Sequence, residues 1–121
     1  MASLRNYQKF WKKQFEKEYQ AKQLLIKSLK LSAAKAAQML GRQFGAKKVF
    51  LFGSIIDGEL FHKHSDLDLA VEGIQPQEYI SALSKISRLF AGKVSVDLVP
   101  LEDAAPKLKD LIQKKGQLIY G

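Results

Sequence analysis

The sequence predicts an α/β (α+β) fold in which a small mixed β-sheet is flanked by helices. Two observations predict it. The first forty residues contain neither glycine nor proline and place apolar residues at helical spacing, whereas the rest of the chain contains four short apolar runs of strand length. Two further segments with helical spacing separate these runs, so the predicted order is helix, strand, strand, helix, strand, helix, strand.

The N-terminal helix is predicted from apolar residues that recur every three or four positions up to Phe44. It is either one long helix or two helices joined near Leu31 and Ser32, with Ser32 as the cap of the second. Gly45 then ends the helix, and the first strand follows. The positions that set this spacing are Leu4, Tyr7, Trp11, Phe15, Tyr19, Leu25, Leu29, Ala33, Ala36, Leu40 and Phe44.

The other elements follow from the same kinds of pattern. Pro76 stands at a position favoured in the first turn of a helix. Acidic residues at the start and lysines at the end favour a last helix that Gly116 stops. The predicted strands are 48–52, 67–71, 94–99 and 117–120, and the later helices are 76–91 and either 100–115 or, because of Pro106, 105–115.

A Gly-Ser pair and two carboxylates carry the chemistry of the sequence. Gly53 and Ser54 follow the first strand, eleven residues intervene, and Asp66 and Asp68 then open the second strand. Strand side chains alternate, so both carboxylates point the same way. Two carboxylates so close to each other resist ionising together, because their charges have the same sign. In a chain without cysteine, a hard divalent metal, which prefers oxygen ligands, is the natural cation to lie between them.

A third carboxylate, Asp97, lies in the middle of the apolar strand 94–99. An aspartate there is costly unless it is paired or bound to a metal. If this strand pairs with 67–71, Asp97 joins Asp66 and Asp68 in one cluster, and three carboxylates suit two Mg²⁺ ions that promote an in-line phosphoryl displacement. The alternative is that Asp66 is a turn residue, Asp68 a solvated strand position and Asp97 an exposed edge residue.

Four phrases of the sequence, at 51–54, 65–71, 96–99 and 116–120, match a known pattern together. They resemble the nucleotidyltransferase superfamily of DNA polymerase beta, and most of all its minimal nucleotidyltransferases (MNT proteins). The likeness covers about residues 30 to 121 and implies the nucleotidyltransferase fold. The Gly-Ser pair alone would not be specific, but its combination with the later aspartates is.

The resemblance implies a role for each site residue. In the family the Gly-Ser turn holds the nucleoside triphosphate, which gives this role to Gly53 and Ser54 here. The paired aspartates of the family bind catalytic metals, which makes Asp66 and Asp68 the expected ligands of two Mg²⁺ ions. The third aspartate of the family completes the metal site or helps activate the acceptor hydroxyl, a role that falls to Asp97.

One departure from the family pattern concerns the residues after the Gly-Ser pair. Many minimal members carry arginines there, but this chain has Ile55, Ile56 and Asp57. The metals and the backbone amides are then left to neutralise the triphosphate, with Lys63 as an additional nucleotide-binding cation.

The function that the resemblance implies is transfer of a nucleoside monophosphate from a triphosphate to an acceptor hydroxyl. A chain this short has little room for a second domain that would grip the acceptor, so we expect the acceptor to lie on a partner protein. Minimal nucleotidyltransferases are often encoded beside a helical HEPN protein and act on it as antitoxins. The alternative is a catalytically weak or inactive binding module that neutralises its partner by contact, with the arginine-poor loop as its sign.

Length, composition and charge predict the domain organisation and the cellular location of the protein. We expect one nucleotidyltransferase domain, 31–121, after a basic aromatic extension, 1–30. The absence of cysteine, of a secretory leader and of a long apolar run favours a cytoplasmic protein without membrane contact. Residues 1–48 hold twelve Lys or Arg and two Glu, a net charge of +10, and residues 49–121 hold eight Lys or Arg and ten Asp or Glu, a net of −2.

The extension leaves three interpretations open. Its aromatic stripe could pack on its own domain, with the lysines solvated. It could instead contact a partner protein or a second copy of the chain, because aromatic residues anchor interfaces well. Stacking aromatics among lysines also suit single-stranded nucleic acid, although here the aromatics follow a helical stripe. The residues concerned are Tyr7, Phe10, Trp11, Phe15 and Tyr19, among Lys9, Lys12, Lys13, Lys17 and Lys22.

Overall fold

A computed structural model describes residues 4–62, 64–91 and 93–121. The predicted fold class is confirmed: a mixed four-stranded sheet lies between helices, and a long helix precedes it. The elements are α1 (Leu4–Phe44), β1 (Lys48–Phe52), α2 (Ser54–Asp57), β2 (Leu67–Glu72), α3 (Tyr79–Ser87), β3 (Val96–Pro100), α4 (Pro106–Lys115) and β4 (Gln117–Tyr120).

The sheet has the strand order β3-β2-β1-β4. The strand β1 pairs antiparallel with both β2 and β4, whereas β2 and β3 run parallel. A parallel pair needs a crossover connection, and α3 provides it between β2 and β3. This topology places the carboxyl end of β1 beside the amino ends of β2 and β3, which is where the predicted site residues lie.

The core has two parts, one on each face of the sheet. On the first face α1 and α3 cover the larger cluster, in which Leu51, Leu69 and Leu98 are buried sheet residues. On the second face α4 covers a smaller cluster, where Ile112 packs with Ala70 of β2. Strand residues alternate between the two clusters, so the sheet is apolar on both faces over most of its length.

The helix α1 is a single uninterrupted helix, so the alternative of two helices joined near Leu31 and Ser32 is wrong. Ser32 lies inside the helix and caps nothing. The predicted boundary between residues 30 and 31 falls within α1. Gly41 lets the helix approach β4 closely, because a Cβ there would lie 2.0 Å from the ring of Tyr120.

Two other element boundaries differ from the sequence prediction, and for the last helix the later of the two predicted starts is confirmed to within one residue. The segment 76–91 is a short 3₁₀ turn, the α-helix α3 and a second 3₁₀ turn, rather than one helix. The last helix begins at Pro106, and a separate 3₁₀ turn occupies 101–103. A proline lacks the amide hydrogen of a helix interior but suits its first turn, which excludes the start at 100. The strand β3 begins at Val96 rather than at 94.

The part of the extension from residue 4 to residue 21 does not pack on the domain, whereas Ile26 and Leu29 of the extension are buried in its core. Every residue from 4 to 21 is exposed, and burial of α1 begins at Ile26. The interpretation of the aromatic stripe as an internal packing face is therefore wrong. Within the described residues, no helix combines the length and the apolarity needed to cross a bilayer.

Candidate active site

The site begins at Gly53, directly after β1. Gly53 has φ 84° and ψ −156°, a backbone conformation that is essentially restricted to glycine. A Cβ at this position would lie 2.2 Å from Oδ2 of Asp68. The main chain of the Gly-Ser turn and this carboxylate are therefore in direct contact, and only the absence of a side chain at Gly53 permits it.

The turn continues into a single turn of helix, α2, where the sequence had predicted only a tight turn. The Ile56 amide donates to the Gly53 carbonyl at 3.1 Å, and the Gly58 amide donates to the Ser54 carbonyl at 2.9 Å. Ile55 is buried in the main core and fixes α2 against the sheet. Ser54 is half-buried at the first position of α2, next to Gly53.

The predicted carboxylates meet at the same end of the sheet. Asp68 is paired in register with Phe52, the last residue of β1, on one side and with Asp97 of β3 on the other. Neighbouring strands lie about 4.8 Å apart, so Asp68 and Asp97 are adjacent on the sheet. Asp66 immediately precedes β2, two residues before Asp68. Side-chain alternation places these two on the same side of the chain.

The three carboxylates differ in exposure. Asp68 is half-buried, whereas Asp66 and Asp97 are exposed, and β3 is an edge strand. The alternative interpretation of the sequence, in which Asp66 is a turn residue and Asp97 an exposed edge residue, is thus correct about the exposure of these two residues. It does not describe Asp68, whose carboxylate lies between the Gly53 main chain and Asp97.

The electrostatics of Asp68 reflect this position. The pKa of the Asp68 carboxyl is raised from 3.8 to about 6, mainly by burial and in addition by the nearby charges of Asp97 and then Asp66. The ionised form of Asp68 is therefore less favourable in the folded protein than in the unfolded chain. A cation bound among these carboxylates would relieve that cost.

The donor set fits Mg²⁺ as a metal shared with a substrate. Among the described residues, no three side chains of His, Cys, Asp or Glu form a group that could hold a metal by themselves. Mg²⁺ is usually held by one or two carboxylates together with water and substrate phosphates, and such a site needs no closed protein cage. Binding of metal by Asp66, Asp68 and Asp97 therefore stays a prediction.

The isoleucines that replace the expected arginines have a structural role. Ile55 is 1% exposed, and Ile56 packs against the same core cluster. A charged side chain at Ile55 would have to be buried there, at considerable cost. The turn therefore contributes main chain and a hydroxyl to the site, and no cation.

Two lysines bear on the missing positive charge. Lys63, predicted to bind the nucleotide, lies outside the described residues. Lys22 was not predicted from the sequence as a site residue, yet its Nζ donates to the Glu59 carbonyl at 3.0 Å, in the loop that follows α2. Only the three-dimensional course of α1 brings this lysine to that loop, and no spacing in the sequence signals it.

A cleft of about 680 Å³ lies at the opposite end of the sheet from the aspartates. Its lining includes Gly73, whose amide donates to Glu102 Oε2 at 2.9 Å, and Tyr79, whose hydroxyl donates to the Leu98 carbonyl. None of the predicted site residues lines this cleft. Since the carboxylates and the Gly-Ser turn are elsewhere, cavity size does not identify the chemistry of this chain.

Comparison with protein families supports the fold and the site together. The model for "polymerase beta, nucleotidyltransferase" matches residues 34–121, which include the Gly-Ser turn and all three aspartates. The chain belongs to the polymerase beta nucleotidyltransferase family. A search of curated proteins finds no significant match to this member of the family.

Solved structures that are similar to this chain include a minimal nucleotidyltransferase and toxin–antitoxin proteins. A putative minimal nucleotidyltransferase is 26% identical, with a TM-score of 0.62, over 75% of this chain and 92% of the other. A toxin–antitoxin crystallised with AMP-PNP is 25% identical, with a TM-score of 0.59, over 73% of each chain. The toxin–antitoxin MntA-HepT, at 23% identity and a TM-score of 0.55 over 76% and 72%, shares the fold.

Proposed function

We propose that the chain is a metal-dependent nucleotidyltransferase that moves a nucleoside monophosphate from a nucleoside triphosphate to a hydroxyl of a partner protein. The proposed setting is the antitoxin half of a HEPN–MNT pair in the cytoplasm, where nucleoside triphosphates are available. The single observation that carries the proposal is the contact between the Gly53 main chain and the Asp68 carboxylate, with Asp97 as the strand neighbour of Asp68.

This contact supports the proposal because it combines two requirements of the reaction. A triphosphate needs a close approach to main-chain amides, and the lack of a side chain at Gly53 allows this approach. It also needs a divalent metal, and carboxylates with an unfavourable mutual charge are suited to hold one. In the proposal Asp66, Asp68 and Asp97 hold two Mg²⁺ ions, which would neutralise charge on the attacking and leaving oxygens.

The transfer itself is a single displacement at the α-phosphorus. The acceptor oxygen forms a bond to phosphorus while the bond to the pyrophosphate oxygen breaks, and pyrophosphate leaves with the electron pair of that bond. The proton of the acceptor hydroxyl passes to a base, for which Asp97 is the proposed group because it is the exposed carboxylate on the edge strand. Ser54 and the Gly53 main chain would position the triphosphate.

The partner in this proposal comes from family likeness. The toxin–antitoxin crystallised with AMP-PNP is similar to this chain over 73% of each chain. The minimal nucleotidyltransferases, which this sequence resembles, are often encoded beside HEPN proteins. We infer a helical HEPN-type protein as the partner that carries the acceptor hydroxyl.

A second candidate function is neutralisation of the partner by contact alone. The observation that favours it is the apolar turn after Ser54, where Ile55 is buried and supplies no phosphate-binding charge. In that case the fold would be retained as a binding surface. The two functions differ in whether the partner gains mass.

The deciding experiment is incubation of the chain with Mg²⁺, each of the four nucleoside triphosphates and the proposed HEPN-type partner protein, followed by mass measurement of that protein. The transferase proposal expects an added nucleoside monophosphate that disappears in Asp68→Asn. A matched control is Asp57→Asn, since Asp57 is an exposed acid on α2 outside the cluster. A partner that binds tightly but stays unmodified would support contact alone.

A further inference from the structure

The N-terminal part of α1 carries a continuous apolar surface that nothing in the described chain covers. We call it the aromatic stripe; its members lie at spacings of three or four residues, and each is more than half exposed. A contiguous group of five large, exposed apolar side chains indicates an interaction site. The stripe consists of the aromatic residues Tyr7, Trp11, Phe15 and Tyr19 together with Leu4, whereas Phe10 lies to one side of it.

The stripe continues the buried face of the same helix. Helical spacing at 100° per residue places Trp11 and Phe15 in line with Leu29 and Ala33, which are fully buried against the sheet. The face that packs on the domain therefore continues into the region where the domain ends, with Lys22 as the charged residue on this line between Ile26 and Tyr19. This continuity indicates a packing surface that requires a second apolar surface to complete it.

Contacts along α1 show where the exposed part begins. Lys22 donates to the Glu59 carbonyl, and a side chain at Gly58 would touch Ile26. The helix therefore passes the loop after α2 at residues 22 to 26, beside the catalytic end of the sheet. The eighteen residues 4–21 extend about 27 Å beyond that end, at 1.5 Å per residue.

Most basic residues of the segment 4–21 lie away from the stripe, whereas Lys12 borders it. The same helical spacing puts Lys9, Lys13 and Lys17 on the opposite side of α1, while Gln8 and Gln14 flank the aromatic residues. A surface for single-stranded nucleic acid combines stacking rings with positive charge on one face. Here the rings and most of the charges are on different faces, which favours a protein partner with an apolar surface.

The stripe is close to symmetric about Trp11. Tyr7 and Phe15 lie four residues before and after Trp11, and Leu4 and Tyr19 lie seven before and eight after it. If two such helices pack antiparallel about a two-fold axis at Trp11, Tyr7 of one faces Phe15 of the other and Leu4 faces Tyr19. Self-complementarity of this kind is what a two-fold interface between identical chains requires.

The charge of the extension does not oppose this pairing. With the stripes in contact, the outward lysines of the two copies are on the far sides of the helix pair, about 20 Å apart for helices packed at 8–10 Å. That distance exceeds the screening length of about 8 Å at physiological salt. The cost of bringing two basic helices together is therefore small compared with the burial of ten large apolar side chains, five from each copy.

We propose that the aromatic stripe is a homodimer interface in which two copies of α1 pack antiparallel about Trp11. The pairing buries the five side chains of the stripe and holds the two catalytic ends facing each other along the helix pair. This inference is independent of the proposed reaction, because it uses no residue of the carboxylate site.

The first test is the mass of the full chain in solution as a function of concentration, by sedimentation or light scattering. The wild type should reach twice its 13.6 kDa, and the double variant Trp11→Ala, Phe15→Ala should raise the dissociation constant at least about thirtyfold, as loss of two central anchors does. Leu24→Ala is the matched control, because Leu24 is 69% exposed on α1 but off the stripe; its dissociation constant should not change.

The second test determines the geometry. The chain contains no cysteine, so a spin label on Leu24→Cys is unique in each copy. An antiparallel pair centred on Trp11 separates the two labels by about 40 Å, since each lies thirteen residues from the axis at 1.5 Å per residue. Trp11 is the only tryptophan, so its fluorescence should also shift to shorter wavelength as the dimer forms.

Three outcomes would overturn the inference. One is a monomer at every concentration that permits measurement. Another is a label separation of about 20 Å in place of about 40 Å, which would indicate parallel helices. The third is a monomer that binds a single-stranded oligonucleotide and loses that affinity in Trp11→Ala, which would assign the aromatic residues to nucleic acid.

Discussion

Substitution of Gly53 by alanine tests the contact on which the site is built. Its backbone, at φ 84° and ψ −156°, costs a residue with a side chain about 1–3 kcal/mol. The new Cβ would also lie 2.2 Å from Asp68 Oδ2, so the carboxylate or the turn must move, at a further cost of about 1–3 kcal/mol for overpacking. We expect Gly53→Ala to lower the free energy of unfolding by about 2–6 kcal/mol, from the combined effect of strain and crowding.

Gly45 provides the control for backbone strain alone. It also has a positive φ, 76°, but a Cβ there would meet nothing within 4 Å. Gly45→Ala should therefore cost only about 1–2 kcal/mol, the usual penalty for a left-handed conformation. Unfolding in urea, followed by circular dichroism, measures both variants. The difference between them reports the collision with Asp68.

A second substitution at Asp68 separates the two parts of the cost. In a Gly53→Ala background, Asp68→Ala removes the colliding carboxylate and should restore the part of the stability that crowding removed, about 1–3 kcal/mol. If Gly53→Ala is no more destabilising than Gly45→Ala, or if Asp68→Ala restores nothing, the carboxylate does not lie against the turn. The geometry described for the site would then be wrong.

Three further predictions concern charge, the turn hydroxyl and the core. Because the pKa of Asp68 is raised to about 6 in the folded protein, wild type loses stability as pH rises through 6. Asp68→Asn should therefore raise the free energy of unfolding by about 1–2 kcal/mol at pH 8 without metal, a value reduced for solvent screening, and should leave it unchanged below pH 4. Thermal unfolding at the two pH values measures this, and an equal effect at both would exclude a costly ionisation of Asp68 in the folded protein. Ser54→Ala should weaken triphosphate binding about tenfold in calorimetry with little change in melting temperature, the loss expected for one hydrogen bond to a charged group. Leu69→Ala, in a fully buried position, should cost about 2–5 kcal/mol in urea unfolding, and a cost below about 1 kcal/mol would contradict its place in the core.

The strands, and the position of Gly53, Asp68 and Asp97 at one end of the sheet, could be predicted from sequence because they depend on local patterns. Short apolar runs next to Gly53 and Asp68 have few structural alternatives, and a parallel neighbour for β2 was enough to bring Asp97 beside Asp68. The extent of the last helix was harder to predict. Acidic residues at 102 and 103 suit a helix start as well as a 3₁₀ turn, and only Pro106 distinguishes the two.

The features that sequence could not provide depend on tertiary geometry. The periodicity of the aromatic stripe is identical whether the stripe packs on its own domain or extends beyond it. The place along α1 at which the domain ends decides between the two arrangements. The contact of Lys22 with the loop after α2 shows that the domain ends near this residue. Likewise the burial of Ile55, which explains the missing arginine, follows from the position of α2 against the sheet and not from any local pattern.

The central claim is that the Gly-Ser turn and the three aspartates bind a metal–triphosphate complex. Calorimetric titration of the chain with ATP, with and without Mg²⁺, tests it most directly, with Asp68→Asn and the exposed control Asp57→Asn measured alongside. We predict binding that depends on Mg²⁺ in wild type and in Asp57→Asn, and that is lost in Asp68→Asn. Equal binding with and without Mg²⁺, or unchanged binding in Asp68→Asn, would contradict the claim.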